Sequence, residues 1–252
     1  MDQPRRGGEP AVSDAQTTRS TADTDALRAL AEAGASELGF DASASEVIAW
    51  VERNFSTGEA AVACSMADAV LPHLVSQTLP GVDVLFLDTG YHFVETRATR
   101  DEVARSLDVN IVDVLPERTV AEQDAVEGRD LYATDPGRCC QLRKVEPLTR
   151  ALSGYRVWLT GVRRDEAPTR INTPLVVFDE AHGLVKVNPV AGWSFDELND
   201  YATEHRLPRN LLLDAGYPSI GCQPCTRPVA PGEDPRAGRW SGQNKTECGI
   251  HV

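Results

Sequence analysis

The sequence predicts an α/β fold: a parallel sheet with helices on both faces. Two observations carry this. Short apolar, β-branched runs recur along the chain, and segments of helical spacing and crossover length separate them. The strands expected are "EAAVACS", "VDVLFLD", "VNIVDVL", "YRVWLTG", "LVVF" and "LVKVNPV". Before them, "TDALRALAEAGASELG" and "SASEVIAWVERNF" show apolar residues at helical spacing behind Ser, Thr or Asp caps. Between them lie helix candidates near "MADAVLPHLVSQT", in "FVETRATRDEVARSL" and in "VAEQDAVEG", and the amphipathic "SFDELNDYATEH" follows. Residues 1 to about 22 are rich in Gly, Pro, Ser, Thr and charge and read as a disordered extension. The α/β domain is expected over 23–227. From 228 to 252 the Pro- and Gly-rich, aperiodic end reads as a mobile tail.

The 252 residues carry 25 Lys and Arg against 38 Asp and Glu, a formal charge of -13. That balance argues against extended contact with nucleic acid or an anionic membrane. No apolar run approaches a spanning helix, and the polar start lacks the apolar region of a signal peptide, so a cytoplasmic protein is expected. Cysteines in a reducing compartment point to metal, cluster or catalytic thiols before disulfides. There are six: Cys64, Cys139, Cys140, Cys222, Cys225 and Cys248.

In "GRCCQLRKVEPL" a helix would set Cys140 above Lys144 and Cys139 above Arg143, with Pro147 kinking it or opening the next helix. "GCQPCTRP" holds a C-x-x-C pair. Together the two pairs supply four thiolates, the number for a structural zinc or a [4Fe–4S] cluster, and four sulfurs without a nearby histidine favour iron. "CSMADA" reads as a strand entering a helix at Ser65, whose backbone amides could receive a phosphate. "LDTG" places Asp88 and Thr89 at a strand end, where a nucleotide would lie, although Asp88 could equally cap a helix. Arg163, Arg164 and Arg170 cluster in "TGVRRDEAPTR", and Arg236 and Arg239 stand beside Trp240 in the tail. In an acidic chain such clusters point to an anion site. Cys64, left over, reads as a small buried residue at a strand end.

These segments, "CCQLRKVEPL" with "GCQPCTRPV", "TGVRRDEAPTR", "LDTG" and the terminal "KTECGIHV", resemble assimilatory adenylyl-sulfate reductases of the phosphoadenylyl-sulfate reductase family. The resemblance runs from about Val62 to His251 in consistent order. It implies a Rossmann-like, adenine nucleotide α-hydrolase-like fold and reduction of adenosine 5′-phosphosulfate to sulfite and AMP, in sulfate assimilation and cysteine biosynthesis. It also implies a [4Fe–4S] cluster on Cys139, Cys140, Cys222 and Cys225, with Lys144 between cluster and substrate. Ser65, Leu87, Thr89 and Gly161 would line the nucleotide pocket. Arg163, Arg164, Arg170, Arg236 and Arg239 would face the phosphosulfate, and Cys248 would be the nucleophile. Two positions depart from the pattern: "CSMADA" replaces the S-G-G-x-D-S of nucleotide-cleaving relatives, and Ala167 stands where R-R-x-x-S expects serine.

The chemistry that follows has Cys248 attack sulfur, expel AMP and carry an S-sulfonate that an external dithiol such as thioredoxin releases as sulfite. His251 could orient the tail or a phosphate, or simply be solvated. Other readings stay open: a phosphoadenylyl-sulfate reductase, a zinc-stabilised adenylate-binding module, and an ATP-pyrophosphatase-type transferase. A homo-oligomer is neither required nor excluded.

Overall fold

The computed structural model describes residues 19–243 and 245–251. The extension expected over 1–22 lies outside these as far as residue 18. Its last residues already belong to the fold, because Ser20 caps helix α1 (Thr21–Leu38) by accepting Asp23 N–H, and Arg19 donates to the Gly183 carbonyl at 2.8 Å. Helix α2 (Ala44–Asn54) opens on a reciprocal Ser43–Glu46 capping box, which satisfies two amide donors at once.

Six strands follow: β1 (Ala60–Ala63), β2 (Val82–Leu87), β3 (Val109–Val114), β4 (Val157–Thr160), β5 (Val176–Asp179) and β6 (Leu184–Val187). Each falls inside an expected run, except that β5 goes one residue past "LVVF" to Asp179. They form one sheet in the order β3-β2-β1-β4-β6-β5. All neighbours pair in parallel except β5 and β6, which are antiparallel. The sheet is parallel as expected apart from this edge, which departs for a legible reason. Only residues 180–183 join the two strands, too few for a crossover, and Gly183 at φ 65° closes a hairpin by donating to the Asp179 carbonyl.

Period-two alternation sends side chains to two cores. Ala60, Val62, Val82, Val84, Phe86, Val157, Leu159, Val185 and Val187 face one side. There they meet α1, α2, α3 (Val70–Ser76), α4 (Val94–Ser106) and α9 (Phe195–Glu204). Ala61, Leu85, Trp158 and Leu184 face the other, against Leu148 and Leu152 of α8 (Glu146–Leu152) and Ile250 of the tail. α5 (Val120–Glu127), α6 (Leu131–Thr134) and α7 (Pro136–Cys140) lead from β3 into α8. No described helix is long and apolar enough to cross a membrane.

The contact between α1 and α2 is tight enough to test. A Cβ on Gly34 would sit 2.7 Å from Trp50 Cε2, and that indole is only 2 % exposed. Gly34→Ala is therefore expected to destabilise by about 1–3 kcal/mol through overpacking, despite the better helix propensity of alanine. A urea melt checks it, and an unchanged midpoint would contradict this packing.

Candidate active site

A cavity of about 260 Å³ opens at the carboxyl ends of β1, β2 and β4. This is where the strand order reverses on either side of β1, the place an open α/β sheet offers to a ligand. Ser65, Leu87, Thr89 and Gly161 all line it. Cys64 lines it too, packed at the edge of the core, with burial pushing its thiol up to about 12.

Two local expectations need correction. The helix after β1 does not begin at Ser65 but at Val70. The intervening loop turns through Met66 at φ 59°, and Asp68 receives the Val70 N–H at 2.9 Å. The phosphate-facing helix start read from "CSMADA" is thus absent. Asp88 is likewise not a pocket residue: it accepts Gly90 N–H at 3.0 Å and pairs with Arg97 at 3.0 Å.

Lys144, Arg163, Arg170, Arg236 and Arg239 gather around the cavity from three separate segments. Arg164, expected with them, is turned away. Its Nη2 donates to the Phe40 carbonyl at 2.7 Å, its Nε to the Thr173 carbonyl at 3.0 Å, and its guanidinium lies over the Phe40 ring. It ties the α1–α2 connection to the loop after β4. The cations that do face the cavity are not equivalent. Arg163 bonds Asp165 at 3.1 Å and pairs with Glu166, and Arg170 bridges Glu166 and Glu247. Lys144 and Arg239 have no carboxylate partner among the described residues. Arg239 instead donates to Ser219 Oγ and the Ile220 carbonyl. Its guanidinium fills the space over Gly221, where a Cβ would collide with it.

The four cysteines of the two pairs converge. Cys139, Cys140, Cys222 and Cys225 line one small void together with Tyr91, Tyr132, Pro136, Arg143 and Lys144. A five-residue π turn, Gln141–Val145, interrupts the helix between α7 and α8, while Pro147 sits in the first turn of α8. The turn brings Lys144 to both cavities. Arg143 lines the void too, but its hydrogen bonds go elsewhere. Its Nε donates to the Thr89 carbonyl and its Nη1 to Gln123 Oε1, so it braces the β2 loop from inside. Burial pushes the Cys139 thiol up to about 12 and Cys225 to about 11, each helped by neighbouring thiols. At Lys144 burial works against the ammonium, but the sulfurs of Cys222, Cys140 and Cys248 outweigh it and raise its pKa. Thr89 Oγ1 stands 3.3 Å from Cys222 Sγ, which joins the two cavities a second time.

The tail folds back over the sheet. Trp240, 3 % exposed and held at φ 48°, lies under three cations: Arg239 at 4.6 Å, Lys245 at 5.6 Å and Lys144 at 6.0 Å from its ring centre. Cys248, half-buried, lines the larger cavity, as do Glu247, Ile250 and His251. His251 is half-buried against the sheet rather than fully solvated. Its ring stacks on Trp158 at 5.8 Å, and burial followed by Lys186 and the arginines keeps it neutral. Neither Trp240 Nε1 nor His251 Nδ1 finds a partner among the described residues.

Spacing did not foretell the carboxylates that hold the arginines, Glu166 and Glu247, nor Tyr91 and Tyr132 beside the thiols. Glu247 lay in the quoted "KTECGIHV", yet its partner Arg170 is 77 positions away.

Comparison with known proteins agrees with this geometry. The chain is 56 % identical over 232 residues to a protein named adenosine 5′-phosphosulfate reductase from Mycobacteroides abscessus, covering 92 % of this chain and 97 % of the relative. The protein of the same name from Mycolicibacterium smegmatis is 55 % identical over 236 residues, 94 % of this chain and 99 % of the relative. Among solved structures, a phosphoadenylyl-sulfate reductase from Candida auris in its phosphate complex superposes with a TM-score of 0.64 at 28 % identity, covering 83 % of this chain and 98 % of that one. The profile of the phosphoadenosine phosphosulfate reductase domain matches residues 59–228, which take in the sheet, the cavity's floor and all four paired cysteines, and the chain belongs to that family.

Proposed function

We propose that the protein reduces adenosine 5′-phosphosulfate to sulfite and AMP, with Cys248 as nucleophile. The observation that carries this is the meeting of Cys248 and Lys144 at one cavity whose floor is the nucleotide-side ends of β1, β2 and β4. The relatives named for the unphosphorylated nucleotide match almost the whole chain, which favours it over the 3′-phosphorylated one.

In this reading Ser65, Leu87, Thr89 and Gly161 hold the nucleotide, and Lys144, Arg163, Arg170, Arg236 and Arg239 receive the phosphosulfate. The Cys248 thiolate attacks sulfur, an S–S bond forms, and the S–O bond breaks with its electron pair leaving on AMP. Cations around the leaving phosphate stabilise that charge as it develops. A second thiolate, from a dithiol donor such as thioredoxin, then attacks Cys248 Sγ. Sulfite departs with the bonding pair, and the donor's other thiol resolves the mixed disulfide, so the donor supplies both electrons. A tail that reaches an external donor must leave the cavity, and mobility of 228–252 belongs to this proposal, as does a cytoplasmic location.

The residues fit a [4Fe–4S] cluster in kind: four thiols line the void and no described carboxylate or histidine does. Among the described residues no three such donors are gathered tightly enough for a single ion. Held by Cys139, Cys140, Cys222 and Cys225, the cluster would supply a compact charged centre beside Lys144. Cys140→Ser should lose iron and lose turnover with it.

The test is anaerobic incubation with the substrate labelled in its sulfur and no reductant. Label on the denatured protein, released as sulfite by reduced thioredoxin, is the expected result. An iron-containing protein that binds AMP but takes no label would overturn the reading.

A further inference from the structure

Glu247 directly precedes Cys248, and its carboxylate is fully engaged. Oε1 accepts Arg170 Nε at 2.9 Å, Oε2 accepts Arg170 Nη2 at 2.7 Å, and Arg236 Nη2 reaches Oε2 at 3.1 Å. The same Arg236 nitrogen donates to the Thr246 carbonyl at 2.9 Å. Two arginines, one from the loop after β4 and one from the start of the tail, thus grip the two residues before the thiol. The three side chains are only 12 %, 14 % and 22 % exposed. A bidentate, charge-assisted pair so placed is stronger than a solvated surface pair.

Beyond Cys248 the chain is held by different means. Gly249 turns at φ 88°, Ile250 packs on the second core, and His251 stacks on Trp158. Cys248 hangs between an ionic grip and an apolar one, and both are made by residues that line the cavity. Glu247 also lies between two cations that oppose each other: burial, then Arg170, lowers the Arg236 pKa. Without the carboxylate those guanidiniums would repel, and the segment before the thiol would lose its seat.

We propose that Glu247 is a positioning residue: its ion pairs with Arg170 and Arg236 latch the tail so that Cys248 faces the cavity. The latch is a statement about this chain's geometry; only its effect on turnover rests on the proposed reductase activity. An ordinary tail ion pair serves as the contrast. Glu233 pairs with Arg227 at 2.7 Å, but both are more exposed than the Glu247 trio and neither lines the cavity.

The experiment uses iron-loaded full-length protein without substrate and follows alkylation of Cys248 by iodoacetamide with peptide mapping. Rates are read on the alkaline plateau of the pH profile, where the thiol is fully ionised and a changed pKa cannot mimic exposure. Glu247→Gln and Glu247→Ala should raise the plateau rate at least tenfold, equivalent to about 1.4 kcal/mol of docking. Glu247→Asp should fall between them and the parent, and Glu233→Gln should match the parent. In turnover, Glu247→Gln should lower kcat about tenfold without raising KM, since the latch aligns the nucleophile and does not hold the nucleotide. Plateau rates unchanged in both Gln and Ala variants would overturn the latch. A tenfold rise in a protein that never reduces adenosine 5′-phosphosulfate would uphold the latch and overturn the activity instead.

Discussion

Cys248→Ser is expected to cut sulfite release by about 10⁴-fold or more while iron content and AMP binding stay at parental levels. Serine keeps the size of the side chain, so nothing is displaced, and Cys248 makes no hydrogen bond among the described residues. The chemistry disappears because a hydroxyl beside these cations is still far from ionised, and an S–S bond cannot form from oxygen. The remaining cavity, with Lys144 and four arginines, is untouched, which is why binding should survive. Anaerobic turnover and isothermal titration with AMP check both halves. A serine variant that still accumulates labelled sulfur would move the nucleophile to another cysteine, and Cys64 would be the first to test because it lines the same cavity.

Lys144→Met carries the second largest effect, a loss of about 10²–10³ in kcat. Methionine matches the length of the stem and removes only the charge. Lys144 is 8 % exposed and has no described carboxylate partner, so its charge is balanced by the nearby sulfurs, the face of Trp240 and whatever anion the cavity holds. Arg239 shares that freedom but is tethered by Ser219 and Ile220, so it cannot take over at the thiol side. AMP affinity should change only a few-fold, because the proposed nucleotide pocket is built from the strand ends of β1, β2 and β4. Turnover within threefold of the parent would show that the arginines alone stabilise the leaving phosphate.

The elements were legible where local chemistry decides them. All six strands, the caps at Ser43, Thr119 and Ser194, and Pro147 at a helix start follow from patterns a few residues long. The convergence of Cys139 and Cys140 with Cys222 and Cys225 was also readable, since paired thiols in such a chain have few other uses. What escaped depends on partners distant in sequence. Arg164 looks like its neighbour Arg163, yet the Phe40 carbonyl, 124 positions away, claims it. Arg143 looks like a second cation for the thiols, yet Thr89 and Gln123 claim it. The π turn after Cys140 has no spacing signature, and nothing near Glu247 in the chain announces its partner Arg170. The hairpin at β5 and β6 is the exception: the short stretch between "LVVF" and "LVKVNPV" was in plain view and excludes a crossover.

Ile250 and His251 close the second face of the sheet over Trp158. In the proposed cycle each departure of Ile250 and His251 leaves behind an apolar seat on that face, and so resembles a small local melting event. Such events have the thermal signature of apolar exposure: the seat holds less firmly in the cold, where the hydrophobic drive fades. Chilling should therefore loosen the terminus before it disturbs the body of the domain, and a cold-adapted variant would be expected to compensate with a larger side chain at position 250.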